Sequence, residues 1–231
     1  MVRPVNCLWW VAYGVFSLSV CCAQSVSAGR FTDFPSFKTI QGATDSDGFP
    51  ISGAKLCLVE SVGTCYQMPP ERPSSSDSVV YEFGLEPRSE RLPLPSGGSF
   101  VFFSSQFSGG GSGTLDRLAI LRYEQNRKIV NLLPYVGVTN QSDRAVWQIE
   151  NASKFPIVVT ADFYWMDGET HFADHFYTVN AYRFDAEKDR YVQVLSYRTS
   201  KKHPGLDKVD QIHVLGSERA EILRRLEAAS R

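Results

Sequence analysis

The chain has 231 residues, with 24 Lys and Arg against 25 Asp and Glu, a net charge of -1. So even a balance leaves no overall field to gather nucleic acid or an anionic membrane surface. Aromatic residues at 13%, with 17 Gly and 12 Pro, point to a turn-rich globular β chain.

Arg3 and the amino terminus precede an apolar run over residues 8–20, and Val26-Ser27-Ala28 supplies small residues beyond it. This order is that of a secretory signal peptide over residues 1–28, cut after Ala28, with Ala23 as a second cleavage position. The run is shorter than the roughly 20 residues a membrane-spanning helix needs, so no integral membrane segment is expected after cleavage. Export to the periplasm or the medium is therefore expected. Cleavage would remove Cys7, Cys21 and Cys22 and leave Cys57 and Cys65. In an oxidising compartment these two are expected to pair, stapling a hairpin that turns at Ser61-Val62-Gly63-Thr64.

Residues 29–98 read as an arm packing on the main domain. The stretch holds a turn at Asp45-Ser46-Asp47-Gly48, a short strand near 38–40, the disulfide hairpin over 55–60 and 64–67, and a strand over 78–83. Pro- and Ser-rich connectors, 68–78 and 86–98, separate these pieces.

From residue 99 the pattern becomes regular. Strands are expected over 99–106, 115–123, 128–135 and 145–149, then over 157–165, 176–184 and 191–197. Along 157–165, Ile157, Val159, Ala161, Phe163 and Trp165 share one face at period two. Asp167-Gly168 tolerates positive φ and ends that strand. FVFFSSQF, LAILRY and KIVNLLPY occur in the same order as IVVTADFYW, TVNAYRF and RYVQVLSY, the closest pair being offset by 62 residues. An internal repeat follows, and with it an all-β fold class. Residues 99–216 would form two four-stranded antiparallel meanders, 99–151 and 155–215, packed apolar face to apolar face as a sandwich or an open propeller-like pair. Residues 217–231 change to helical spacing, with Ser217 as N-cap and a stripe through Ala220, Leu223 and Glu227 beside Ile222 and Leu226.

No catalytic signature is present. Gly110, Gly111, Ser112 and Gly113 lead into Thr114, which lacks the second glycine of a nucleophile elbow, and no Lys-Ser/Thr pair follows for a phosphate loop. The segment Asp167, Glu169, His171, Phe172, Asp174 and His175 concentrates carboxylates and two of the four histidines. That composition suits a hydrogen-bonded structural loop, a divalent metal held by His171 and His175, or acid/base work by Glu169, His171, Asp174 and His175. Four residues of extended strand would hold the two imidazoles roughly 13 Å apart, so a shared metal requires the loop to curl. No other cofactor is indicated.

Were the two modules equivalent, the bare 109–113 loop and the larger 167–175 loop would occupy the same end. Phe107, Gly110, Ser112, Trp165 and Phe172 then join the acidic loop as candidate binding residues, with Phe107 and Trp165 as aromatic anchors. The expected partner is a protein or glycan, and not nucleic acid.

The set FSGGGSG, NLLPYVGVTNQS, VVTADFYW, ETHFADHFYTVNAYRFD and TSKKHPGLD resembles a family of uncharacterised secreted bacterial β-rich proteins over residues 83–226. That resemblance implies bacterial export. The meanders alone are also similar to β-propeller-type repeats and to periplasmic lysozyme inhibitors. The expected function is a binding or interaction module in the periplasm or outside the cell, its partner a cell-wall glycan or a wall-degrading enzyme. The alternatives are a metal-dependent or carboxylate-based hydrolase and a structural envelope protein.

Overall fold

The computed structural model describes residues 31–48, 50–61, 63–70, 83–108, 114–134, 136–139, 143–149, 153–170, 172–205 and 213–229. The leader with its three cysteines and residues 71–82, which include most of the strand expected at 78–83, lie outside them.

Three antiparallel sheets and one helix stack in sequence. The smallest sheet runs β1 (Phe37–Ile40), β2 (Lys55–Leu58) and β3 (Cys65–Gln67). Cys57 and Cys65 are cross-strand partners of this hairpin, their Cα atoms 4.0 Å apart, and they are disulfide-bonded as expected. The next sheet is ordered β4 (Glu86–Pro93), β5 (Ser99–Ser108), β6 (Thr114–Tyr123) and β7 (Ile129–Asn131), with β8 (Val136–Thr139) returning to pair with β6. The last is ordered β12 (Arg190–Arg198), β11 (Phe176–Asp185), β10 (Ile157–Tyr164) and β9 (Asp143–Trp147). Helix α1 (Val214–Ala228) covers its outer face.

Each interface has its own apolar cluster. Phe34, Leu56, Leu58 and Met68 meet Val101, Phe103, Ala119 and Leu121 between the first two sheets. The opposite parity of β5 and β6, Phe100, Leu118 and Ile120, meets Phe155, Val158, Tyr182 and Phe184 of the last sheet. Ile157, Val159, Ala161 and Phe163 lie under Leu215, Ile222 and Leu226 of α1. The face expected to press on the other meander is thus the one the helix covers. Val158 looks the other way, so β10 is buried on both sides, as a central strand between two layers must be.

Three boundaries differ from the sequence reading. Residues 86–93, read as part of a connector, form β4, whose charged side chains remain exposed because the strand is an edge and only Leu92 is buried. The strand near 145–149, expected to close the first meander, is β9 and opens the last sheet, Ile157 pairing with Trp147 across a short connection. The run 128–135 breaks after Asn131, whose Oδ1 accepts from the Ile120 and Leu133 amides while Leu132 and Leu133 turn into the core. Residues 206–212, which the second meander over 155–215 is expected to include, lie outside the described residues.

The helix begins at Val214, three residues ahead of Ser217. Ser217 is not its cap: its Oγ bonds the Val214 carbonyl, and the Leu215 amide is instead received by Asp143 Oδ2 at 2.9 Å. A carboxylate from β9 thus serves the positive helix end. The buried stripe is Leu215, Glu218, Ile222 and Leu226, with Ala220 and Glu227 exposed.

The arm is tied at two points. Phe31 sits edge-on to Phe100, Phe155 and Phe184 between the two larger sheets. Arg91 clamps the carbonyls of Phe34 and Pro35, and Ser99 Oγ accepts from the Phe34 amide. Among the described residues no helix is long and apolar enough to cross a membrane.

Candidate functional site

The loop between β10 and β11 is fastened at every few residues. Gly168 has φ 78°, and the Glu169 amide donates to Met166 O at 3.2 Å. The Glu169 carboxylate returns the link by accepting from the Met166 amide at 3.1 Å. Further on, the Ala173 amide donates to Thr170 O, and the Gly205 amide donates to Asp174 Oδ1. His175 and His203 exchange both backbone hydrogen bonds, at 3.1 and 2.8 Å. Gly205 passes so close to the Phe172 and Ala173 carbonyls that a Cβ would collide with them. The 199–205 segment therefore braces the loop from behind.

His175 is fully buried, against Phe163 and near Trp165. Its Nδ1 lies 2.9 Å from Glu169 Oε2 and its Nε2 lies 2.8 Å from Thr170 O. Both ring nitrogens thus have an acceptor within hydrogen-bond distance. Glu169 Oε1 takes the Lys202 ammonium at 2.6 Å. The Lys202 bond, followed by the Met166 amide and the His175 ring, holds the Glu169 carboxyl below the usual carboxylate range.

A second polar chain joins the brace to the helix. His203 Nε2 lies 3.5 Å from Glu218 Oε1, its Nδ1 3.4 Å from Ser217 Oγ, and Tyr197 donates to Glu218 Oε2 at 3.0 Å. Burial pushes the His203 pKa down; Glu218 opposes that shift and Lys201 adds to it.

Outside this framework the loop exposes large apolar side chains beside Asp167 and Thr170. Tyr164 is 39% exposed, Trp165 45%, Met166 44% and Phe172 52%. These four are among seven exposed large hydrophobic residues of the described chain, so the concentration on one loop is not a surface average.

The sequence candidates thus divide. Trp165, Asp167 and Phe172 are exposed at the rim, whereas Glu169, Asp174 and His175 are spent on holding it. His175 keeps no ring nitrogen open to solvent, and no group of three or more His, Cys, Asp or Glu is placed to hold a metal ion among the described residues. His171, Gly110, Ser112 and the Phe107 side chain lie outside them. The strands that carry the two loops end on the same side. Phe100 stacks on Phe155 at their starts, and Asp116, partner of Gln106 in β5, pairs with Arg144, partner of Thr160 in β10.

Sequence reading missed Lys202, His203 and Gly205 as the brace. Lys201-Lys202-His203-Pro204-Gly205 carries only the composition of a basic turn, and the bridge to His175 spans 28 positions and has no local signature.

No protein-family model matches the chain, and no curated protein matches it. Among solved structures it is similar to the crystal structure of CarG, at 14% identity and a TM-score of 0.38, over 52% of this chain and 87% of that one.

Proposed function

We propose that the chain is an exported binding module that meets its partner with the rim of the β10–β11 loop. The observation that carries this reading is the exposure of Trp165, Met166 and Phe172 on a loop that Glu169, Asp174 and His175 hold in place. Rigid aromatic residues lose little freedom on contact, which is why they anchor recognition surfaces. The Cys57–Cys65 bond supports an oxidising compartment. The partner classes are a cell-wall glycan and a wall-degrading enzyme. The chain order β4 to β7 and β9 to β12 supports descent from one duplicated meander, framed one strand earlier than the sequence match suggested.

The test is co-sedimentation with isolated peptidoglycan and titration with lysozyme as a representative wall-degrading enzyme. Wild-type protein should bind one of them, and the Trp165→Ala/Phe172→Ala variant should bind about tenfold or more weakly while keeping its melting temperature. Binding that is absent for both probes, or unchanged in the variant, overturns the reading.

A further inference from the structure

Residues of β10 with the parity of Val158 face the middle sheet, but the contact runs out near Thr160, where Arg144 meets Asp116. Beyond that level Tyr164 and Arg198 are exposed on the same face of the last sheet. Tyr164 and Phe176 are register partners there, and the Arg198 guanidinium lies 5.0 Å from each ring centroid. Arg198 is exposed and makes no ion pair among the described residues. Lys201 is likewise exposed and without an ion pair among them, and Lys202 sits 5.6 Å above Phe176. The next rungs of this face carry Thr178, then Asn180 opposite Ser196, with Gln193 donating to Asn180 Oδ1 at 2.9 Å. Asp162 is the carboxylate on this face, and its Oδ1 accepts from the Phe163 amide.

We propose that this face binds a carboxylate-bearing saccharide, with Arg198 receiving the carboxylate. A guanidinium stacked on two rings is already oriented and presents paired donors that match a carboxylate in two-point contact. The hydroxyl and amide row beside it matches sugar hydroxyls. Arg198 and the neighbouring exposed Lys201, neither in an ion pair among the described residues, outweigh Asp162 and set the sign of the ligand, Lys202 being paired with Glu169. The inference rests on the reading of the chain as a binding module but uses the sheet face opposite to Trp165.

The test is calorimetric titration at low ionic strength with oligogalacturonate and hyaluronate oligomers, against neutral chitohexaose and hexaglutamate. At least one acidic oligosaccharide should bind more tightly than both controls and lose about tenfold or more in Arg198→Gln. The Trp165→Ala/Phe172→Ala variant should bind it as wild type does. Failure of both acidic saccharides to bind, equal binding of either control, or no effect of Arg198→Gln overturns the inference. If the rim variant loses peptidoglycan or lysozyme while Arg198→Gln loses nothing, the module reading stands and this surface falls.

Discussion

His175 and His203 are backbone partners with opposite surroundings, and they separate two consequences. His175 sits between two acceptors, so His175→Ala removes one partner from the Glu169 carboxylate, which keeps Met166 and Lys202, and one from the Thr170 carbonyl, which keeps Ala173. The expected cost is about 3 kcal/mol in chemical denaturation, from the lost packing of a fully buried ring and its two lost hydrogen bonds. A loss under about 1 kcal/mol would mean that the loop is held by other means. For His203, burial favours the neutral ring, so its folded pKa lies below the ordinary 6.5. The unfolded chain therefore takes up this proton first. Its contribution to stability is whole above pH 6.5 and is lost as pH falls toward the folded value. His203→Asn should flatten the decline of melting temperature below that point, and an unchanged slope would rule the group out as its source. Glu169 adds its own acid dependence lower down. With its pKa held under 4.5, its support is present above that value and fades as pH falls through the folded one. At this scale the sequence showed which residues were chemically equipped, but not whether a carboxylate or imidazole faced solvent. The rim loop carries both kinds, and only the tertiary brace decides between them.

At the scale of elements, alternation was a sufficient guide wherever a strand buries one or both faces. β5, β6, β10, β11 and β12 are long, aromatic and β-branched, and their positions were legible within a residue or two. β4 was not, because EPRSERLP carries two prolines and four charges and buries Leu92 alone. An edge strand needs no apolar period, so nothing in its composition announces it. The helix period was legible from Ile222 and Leu226, whereas its start was not, since its N-terminal partner is Asp143, more than seventy positions away. The disulfide was legible from spacing and compartment. Its pairing across β2 and β3 holds the outermost sheet, whose Leu56 and Leu58 cover Val101 and Phe103. Replacing both cysteines by Ala is expected to cost about 2 kcal/mol, read as a lower denaturation midpoint. Reduction of the wild type should reproduce it, and a midpoint unchanged by either would contradict the assigned role.

At the scale of the whole molecule, three sheets and a helix leave two strata with both faces covered. The apolar parity of β10 therefore could not identify which neighbour it met. Each face had a plausible partner, and the choice rests on pairings between segments far apart in the chain. The arm is integral to this stack, as Phe31 fills the space among Phe100, Phe155 and Phe184. The stack fixes the ends of β10 and β11, and the brace at 199–205 fixes the loop between them. The rim can then stay apolar in water without collapsing onto the sheet. Amide hydrogen exchange of the full chain, with and without solubilised peptidoglycan fragments and separately lysozyme, tests that account most directly. The prediction is added protection at residues 164–172 with one of these partners. Protection confined to other strands, or none with either, would contradict it.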